Sequence, residues 1–310
     1  MTAASSAHVA AVDWGTSNMR IWLLDADGGV VSERRSDDGM AKAGEKGFGA
    51  VLEAHLAAMH APADIPVVVC GMAGARQGWV DAGYLSLPAP IAGFAKQAVK
   101  GPGIGRDVRI LPGLSQETPP DVMRGEETQI AGAASLGRGR HLVCMPGTHS
   151  KWVEVADGSV TAFRTAMTGE LFALLAASSI LRHSIGASPA QPAPDDETFG
   201  VWLDRALHHP EALTSLLFRI RATGLLGELS PRDAAAALSG LLIGSEIAAA
   251  QPAGDPKRRV VLVASGALGS LYDAALRRAG HAVEPVDADA AVRAGLFAAA
   301  RALFFDGGPA

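Results

Sequence analysis

The sequence has only two cysteines, Cys70 and Cys144, and no surplus of positive charge. Each cysteine ends a short apolar run and neither belongs to a metal-binding pair, so we interpret both as reduced core residues of a cytoplasmic protein. The net charge is -5 and the lysines and arginines are scattered, which argues against a nucleic-acid partner. These two absences exclude a disulfide-stapled secreted domain and disfavour a nucleic-acid-binding protein.

Long hydrophobic runs and targeting signals are also lacking. Residues Met1–His8 have neither a basic start nor a long apolar stretch, so we predict no signal peptide. The most apolar window, Ala234–Ala250, contains small polar residues and Glu246, which is typical of a core helix rather than a membrane span. We therefore expect a cytoplasmic protein with no membrane partner.

Apolar sequence is nevertheless abundant, because 48% of the 310 residues are hydrophobic, and this suits two domains with substantial cores. Short apolar runs alternate with helical patterns, which predicts an α/β protein. The predicted strands are 8–12, 19–25, 30–34, 66–70, 108–111, 141–145, 151–155, 159–164 and 260–265, and the predicted helices are 47–60, 126–136, 266–278 and 288–305.

Two segments of the chain repeat the same order of strands and turns. Strand, Gly15-Thr16, strand, Asp27-Gly28, strand is matched by strand, Gly147-Thr148, strand, Asp157-Gly158, strand. The first pair of turns is separated by 132 residues and the second pair by 130. Because the spacing is held over two turns in the same order, it predicts a duplicated domain.

The first repeated turn combines phosphate donors with a carboxylate. A Gly-Thr turn between strands directs backbone N–H groups and a hydroxyl at one spot, which suits phosphate oxygens. Asp13 precedes the turn and is able to hold Mg²⁺ directly or through water, since Mg²⁺ prefers carboxylate and phosphate oxygens. Further donors are Ser17, Asn18 and Arg20. An ordinary hairpin with an aspartate-capped turn is the alternative.

The second turn carries His149 and Lys151 beside Gly147-Thr148, so a cation accompanies the hydroxyls. This composition suits the far end of a triphosphate. Downstream, the segment Gly266-Ala267-Leu268-Gly269 follows a predicted strand and begins a helix, where close backbone approach would receive an adenosine. The segment lacks the full glycine spacing of a dinucleotide-binding motif, so an oxidoreductase is disfavoured. The sequence contains no Walker motif, which excludes a P-loop kinase.

Two polar blocks supply candidate groups for catalysis and substrate binding. In Arg124-Gly125-Glu126-Glu127, a carboxylate at a helix start would orient or deprotonate an attacking hydroxyl. In the block 163–170, an arginine lies close to two hydroxyls and a carboxylate, and Arg164 or Arg124 would grip a substrate carboxylate. The alternatives are helix-dipole compensation for the glutamates and surface ion pairing for the arginines.

Seven segments together resemble the 2-dehydro-3-deoxygalactonokinase family. They occur in order over nearly the whole chain, and only the set as a whole is specific. The segments are DWGTSNMRIWL (13–23), GMAG with a following GW (71–79), YLSLPAP (84–90), VMRGEETQ (122–129), MPGTHSKWV (145–153), FRTAMTGEL (163–171) and LSGLLIGSE (238–246).

The resemblance implies two duplicated ribonuclease-H-like domains of the actin-like ATPase fold, with ATP in a cleft between them. The domains would be 1–125 and 126–310, with a helical insertion at about 171–250 and the C-terminal helix 288–305 packing back on the first domain. It also implies Mg²⁺-dependent transfer of the γ-phosphate of ATP to the 6-hydroxyl of 2-dehydro-3-deoxy-D-galactonate, a small-molecule sugar acid, in galactonate catabolism.

The resemblance also distributes roles among residues. Glu127 is the favoured base because the second turn lacks the aspartate common in related sugar kinases, and Glu126, Asp13 and Glu170 compete with it. The remaining expected residues bind nucleotide and phosphate (Gly15, Thr16, Ser17, Asn18, Gly147, Thr148, His149, Lys151, Gly266, Ala267, Gly269) or substrate (Arg20, Gly74, Arg124, Arg164, Thr168, Glu170), and Asp13 binds the metal.

Other functions remain open at this level. The acceptor could be a related acid such as 2-dehydro-3-deoxygluconate, and a phosphoanhydride hydrolase of the exopolyphosphatase type would share the hairpins. A nucleotide-gated binding module is disfavoured, since only about 45 residues follow Gly266 and no peptide-binding region is evident. The apolar faces of the C-terminal helices permit a homodimer.

Overall fold

The computed structural model describes residues 7–187, 191–250 and 259–306, so residues 188–190 of the predicted helical insertion lie outside the described part. The chain divides into two compact units. Taking described residues only, unit 1 covers 7–140, 155–162 and 288–306, and unit 2 covers 141–154, 163–187, 191–250 and 259–287.

Unit 1 is built on a six-stranded sheet. In chain order, the strands and α-helices between residues 7 and 140 are β1 (Val9–Trp14), β2 (Met19–Leu24), β3 (Val30–Ser36), α1 (Met40–Lys46), α2 (Phe48–Ala58), β4 (Val67–Gly71), β5 (Tyr84–Ser86), β6 (Ala89–Pro90), β7 (Val99–Lys100), β8 (Val108–Ile110), β9 (Gly113–Glu117), β10 (Pro120–Met123) and α3 (Glu126–Gly132). The sheet order is β3-β2-β1-β4-β8-β7, and β5, β9 and β10 form a separate small sheet. β1 runs parallel to β4, which runs parallel to β8.

The central strands of unit 1 are buried on both faces, as their nearly continuous apolar sequences require. One face packs on α2 through Phe48, Leu52 and Leu56. The other face packs on α10 (Ala288–Ala300) through Val292 and Leu296. The sheet is therefore the middle layer of unit 1, with a helix packed on each face.

α3 and α10 cross at very short distance within unit 1. A β-carbon built on Gly132 would lie 1.9 Å from the Ala291 carbonyl oxygen, and one built on Gly295 would lie 1.9 Å from that of Thr128. Only glycine at both positions permits this approach. α3 therefore lies in unit 1 and not in the second domain, 126–310, where the sequence reasoning puts it, and the division of the chain follows Arg140 instead of residue 125.

Unit 2 repeats the strand order of unit 1. Its strands are β11 (Arg140–Met145), β12 (Ser150–Ala156), β13 (Ser159–Ala166), β14 (Val260–Val263) and β15 (Val283–Val286). The order β13-β12-β11-β14-β15 corresponds to β3-β2-β1-β4-β8, and β11, β14 and β15 are parallel. This correspondence confirms the predicted duplication. The tip of the β12–β13 hairpin is grouped with unit 1, where Val160 pairs with Ala89.

The helices of unit 2 are α4 (Thr168–Ser178), α5 (Arg182–Ile185), α6 (Glu197–His208), α7 (Leu213–Leu225), α8 (Pro231–Ala250) and α9 (Gly266–Arg278). α8 is long and apolar enough to span a membrane, but 78% of its most apolar window is buried inside the protein. Glycines on α8 allow close packing, since a β-carbon on Gly240 would lie 2.3 Å from the Phe199 carbonyl oxygen on α6. α8 is thus a core helix, as the sequence predicts.

Candidate active site

The first candidate region lies at the carboxyl ends of the parallel strands of unit 1. Asp13 and Trp14 at the end of β1 are opposite Cys70 and Gly71 at the end of β4. In open α/β sheets this edge is where ligands bind. Gly71 keeps the space before Asp13 open, because a β-carbon there would lie 3.4 Å from Asp13 Oδ1 and 2.6 Å from the Trp14 carbonyl oxygen.

The first Gly-Thr turn joins β1 to β2 at this edge. The Gly15 N–H donates to the Asn18 carbonyl oxygen at 2.8 Å, and the side chains of Thr16, Ser17 and Asn18 are exposed. Gly39 lies directly against the turn, since a β-carbon on it would come within 2.4 Å of the Thr16 carbonyl oxygen. The turn therefore presents hydroxyl, amide and backbone groups to solvent on a supported backbone.

Asp13 is held in a chain of ion pairs. Arg20 donates to Asp13 Oδ2 at 2.5 Å and also to Asp289 on α10, and Arg35 donates to Asp289 at 2.8 Å. Burial lowers the pKa of Arg20, but the two carboxylates outweigh it and the net shift is upward. Arg20 is thus engaged by carboxylates of unit 1, and its observed contacts position Asp13.

Glu127 is a buried carboxyl group in the first turn of α3. Its Oε2 accepts the Gly125 N–H at 2.7 Å and its Oε1 accepts the Thr128 hydroxyl at 3.1 Å. Burial, followed by the neighbouring charge of Glu126, raises the pKa of Glu127 from 4.5 to about 8. A carboxyl group with a pKa near neutrality can take up or release a proton under physiological conditions.

Arg124 precedes Glu127 by three residues, and its side chain is fixed by contacts with Tyr84 and Gly83. Its guanidinium stacks on the Tyr84 ring at 4.4 Å and donates from Nη2 to the Gly83 carbonyl oxygen at 2.8 Å. A β-carbon on Gly74 would lie 2.8 Å from Arg124 Nη1, so the glycine makes room for the guanidinium. Nε and Nη1 are buried and have no hydrogen-bond acceptor among the described residues. An anionic ligand would supply an acceptor for one of them.

The second candidate region surrounds the Gly-Thr turn of unit 2. Gly169, in the first turn of α4, lies against this turn, and the Glu170 N–H donates to the Thr148 carbonyl oxygen at 3.0 Å. The carboxylate of Glu170 also bonds the His149 ring at 2.5 Å. The structure thus brings together Thr148, His149, Thr168 and Glu170, which belong to two separate segments of the sequence.

A pocket of about 320 Å³ opens beside this turn within unit 2. Its polar lining includes Thr148, Thr168 and Ser239, and its apolar lining includes Leu242, Leu268 and Tyr272. Leu268 belongs to the predicted adenosine segment, although Gly266, Ala267 and Gly269 themselves are not among the lining residues. The N-terminal turns of α4 and α9 both contribute, and helix N-termini favour anions.

Two predicted cations have other partners. Lys151 is buried on β12 and donates to the Thr165 hydroxyl at 2.8 Å. Arg164 donates to the Ala249 carbonyl oxygen near the end of α8 at 2.5 Å and does not line the pocket. Both residues follow the second turn in sequence, but alternation along a strand directs neighbouring side chains to opposite faces.

Three residues that contact the candidate site residues are not predicted from the sequence: Gly39, Tyr84 and Asp289. Tyr84 opens the segment YLSLPAP, so its pairing with a buried arginine could have been suspected. Asp289 and Gly39 carry no comparable local signal, since an acidic residue in a first helical turn and a glycine before a helix are common. Within the described residues, no group of three or more histidine, cysteine or acidic side chains is placed to hold a metal ion.

Comparison with known proteins gives concordant results. A sequence profile of the family described as 2-keto-3-deoxy-galactonokinase matches residues 13–299. The chain is 52% identical over 97% of its length to a Rhizobium meliloti protein described as a 2-dehydro-3-deoxygalactonokinase, and covers 99% of that protein. It is 37% identical to the 2-dehydro-3-deoxygalactonokinase of Escherichia coli K12, over 96% of this chain and 99% of that one.

Comparison with solved structures gives the same family and a more distant likeness in fold. A crystal structure of a Sinorhizobium meliloti protein described as a 2-dehydro-3-deoxygalactonokinase superposes with a TM-score of 0.91, at 52% identity over 96% of this chain and 99% of that one. Component A of the (R)-2-hydroxyglutaryl-CoA dehydratase of Acidaminococcus fermentans superposes with a TM-score of 0.50 at 15% identity, over 96% of this chain and 99% of that one. The second likeness concerns the fold alone.

Proposed function

The chain belongs to the 2-keto-3-deoxy-galactonokinase family, and on that premise we propose that it transfers the γ-phosphoryl group of ATP to the 6-hydroxyl of 2-dehydro-3-deoxy-D-galactonate. The substrate is a sugar acid, so its site needs a cation for the carboxylate as well as a group that accepts the hydroxyl proton. The chain would act in the cytoplasm, in galactonate catabolism.

The observation that carries this proposal is the state of Arg124. Its Nε and Nη1 are buried without an acceptor among the described residues, while Tyr84 and Gly83 fix the guanidinium plane. Leaving charged donors unpaired in a low-dielectric environment is unfavourable. A bound carboxylate would accept a charge-assisted hydrogen bond from one of these nitrogens and offset part of that cost. Gly74 serves the same subsite by leaving space for Arg124.

We assign ATP to the second turn and its pocket. The apolar side chains of Leu242 and Leu268 suit an adenine ring, and Gly266, Ala267 and Gly269 shape the start of α9 beside it. Gly147, Thr148 and His149 would donate to phosphate oxygens, supported by the N-terminal turn of α4 with Thr168 and Glu170. Lys151 and Arg164 keep supporting roles, because their described contacts lie on β13 and at the end of α8.

The first turn suits phosphate and Mg²⁺. Asp13 is the carboxylate at this edge, and its Oδ1 accepts a long hydrogen bond from the Cys70 thiol at 3.8 Å. The glycine at position 71 places no side chain before this oxygen, and Thr16 and Ser17 are exposed. One carboxylate with substrate phosphates is the usual donor set for Mg²⁺ in phosphoryl-transfer enzymes. When bound, the ion would neutralise charge on the phosphate oxygens. Arg20 would fix the Asp13 carboxylate for this task.

Glu127 is our proposed base. Its carboxylate would accept the proton of the 6-hydroxyl while the hydroxyl oxygen forms a bond to the γ-phosphorus, and the bond from that phosphorus to the bridging oxygen of ADP breaks. A pKa of about 8 makes Glu127 a better proton acceptor than an ordinary carboxylate once it is ionised. Glu126, Asp13 and Glu170 are the competing carboxylates, and single glutamine or asparagine variants distinguish them.

The deciding experiment supplies purified protein with ATP, MgCl₂ and one acceptor at a time, and follows ADP formation and the phosphorylated acid by mass. We expect turnover with 2-dehydro-3-deoxygalactonate and at least tenfold lower kcat/KM with its gluconate epimer, since one misplaced hydroxyl leaves a polar group of the site unpaired. ADP formation without any acceptor would favour a phosphoanhydride hydrolase. No turnover on any sugar acid would contradict the kinase assignment.

A further inference from the structure

Glu246 on α8 is a buried carboxyl group that the proposed chemistry does not use. Its Oε1 accepts the Trp152 indole N–H at 2.8 Å, and its Oε2 accepts the Tyr272 hydroxyl at 2.8 Å. Hydroxyls of Thr168 and Ser150 also hydrogen-bond to it, and only 6% of the residue is exposed. Burial raises the pKa of Glu246, while these four donors oppose the shift.

The donors to this carboxyl group come from two helices that line the pocket and from the strand that directly follows the second turn. Ser150 and Trp152 are on β12, Thr168 begins α4 and Tyr272 is on α9. Ser150 and Tyr272 also bond to each other at 3.2 Å. Glu246 is therefore the point at which a strand and two helices around the pocket are joined by hydrogen bonds.

Two of these donors are close to the second turn in sequence or in contact. Ser150 directly follows Gly147–His149, so its hydroxyl anchors one end of the turn. Thr168 precedes Gly169, whose β-carbon position lies 2.5 Å from the Gly147 carbonyl oxygen. Thr168 and Tyr272 both line the pocket. A shift of the Glu246 carboxyl group would thus move the turn and two pocket walls together.

We propose that Glu246 is a positioning residue for the nucleotide, holding the second turn, the first turn of α4 and the Tyr272 side of α9 in their binding arrangement before ATP arrives. Preorganisation of this kind improves affinity because less ordering remains to be done on binding. The inference rests on the proposed assignment of ATP to this pocket. A role confined to folding would lower stability and leave the affinity of the folded protein unchanged.

The test measures ADP binding with MgCl₂ by calorimetry, without any sugar acid. For Glu246→Gln we expect about tenfold weaker ADP binding, because the amide keeps the Trp152 bond but loses acceptors for the other donors. Tyr272→Phe removes one hydroxyl from the same network and should weaken ADP binding about threefold. This second variant keeps the test valid if Glu246→Gln does not fold.

Ile247→Ala is the matched control. Ile247 follows Glu246 on α8, is buried in the core of unit 2 and does not line the pocket, so the variant should lower Tm and leave ADP binding within twofold of wild type. Wild-type ADP affinity in both Glu246→Gln and Tyr272→Phe would overturn the role of Glu246 and leave the proposed function intact. If the wild-type protein itself binds no ADP or ATP, both proposals are overturned.

Discussion

Gly169 lies so close to Gly147 that a β-carbon built on Gly169 would come within 2.5 Å of the Gly147 carbonyl oxygen. Unit 1 repeats this relationship between Gly39 and the first turn, 130 residues earlier in the chain. In both units the next residue donates its N–H to a carbonyl oxygen of the turn, Met40 to Gly15 and Glu170 to Thr148, each at 3.0 Å. Each Gly-Thr turn therefore packs against the start of a helix and accepts a backbone hydrogen bond from it.

Replacing Gly169 by alanine should displace the second turn. The added methyl group meets backbone atoms of Gly147 and Thr148, which cannot rotate away, so we expect a loss of about 1–3 kcal/mol in stability and a KM for ATP raised about tenfold. Gly224→Ala, in α7, is the control, because its β-carbon has only ordinary contacts. Steady-state kinetics and urea unfolding measure both effects, and an unchanged KM for ATP would contradict the support role of Gly169.

Stability and activity should respond to pH in opposite directions because of Glu127. Folding raises the pKa of its carboxyl group from 4.5 to about 8, so between these values the folded protein keeps a proton that the unfolded chain releases. The contribution of Glu127 to the free energy of unfolding is then fully present below pH 4.5 and is lost as the pH rises through about 8. The base function needs the ionised form, so kcat should rise over the same upper range.

Comparison of wild type with Glu127→Gln isolates this group. Urea unfolding between about pH 5 and pH 8 should show a stability decline in the wild type that is smaller in the variant, and the variant should lose about 10²–10⁴-fold in kcat with KM for ATP nearly unchanged. Glu126→Gln, next in sequence, should keep most of the activity. A Glu126→Gln variant that loses more activity than Glu127→Gln would transfer the base role to Glu126.

The main strands could be predicted because each is a short apolar run ended by glycine, proline or a charge. β1, β4, β8, β11 and β14 are found where the sequence predicts them, within one or two residues. β5, β9 and β10 could not be predicted, since each is short and mixes polar with apolar residues, and they pair with one another in a small separate sheet. The helix predicted over 288–305 is α-helical as far as Ala300, and Arg301–Phe305 form a π-helical turn at its end.

The candidate site was predictable where chemistry follows local sequence and unpredictable where it depends on packing. The two Gly-Thr turns and Glu127 are at the ends of predicted elements, so their placement at strand and helix ends follows from the pattern alone. Asp289, by contrast, reaches Arg20 only because α10 returns to unit 1 across 269 positions of sequence. Lys151 and Arg164 follow the second turn in sequence, yet their partners are on β13 and at the end of α8.

Arg124 should determine recognition of the substrate carboxylate. Arg124→Lys keeps the charge but loses the planar fork that Tyr84 orients, so we expect the KM for the sugar acid to rise about 10–100-fold while the KM for ATP stays within twofold. Arg76→Ala is the control, since its side chain is 87% exposed and pairs only weakly with Asp81. A sugar-acid KM unchanged in Arg124→Lys would remove Arg124 from the substrate site.

The contact between α3 and α10 should link stability to activity, because α3 carries Glu127. A β-carbon on Gly295 would lie 1.9 Å from the Thr128 carbonyl oxygen, one residue beyond Glu127, so the added methyl group forces α3 and α10 apart. We therefore expect Gly295→Ala to lower the free energy of unfolding by about 1–3 kcal/mol and to lower kcat more than it alters KM for ATP. Gly137→Ala serves as the control in the same unit, since a β-carbon there meets nothing within 4 Å. If Gly295→Ala unfolds at the wild-type urea midpoint, the close approach of the two helices is wrong, and with it the explanation of why α3 belongs to unit 1.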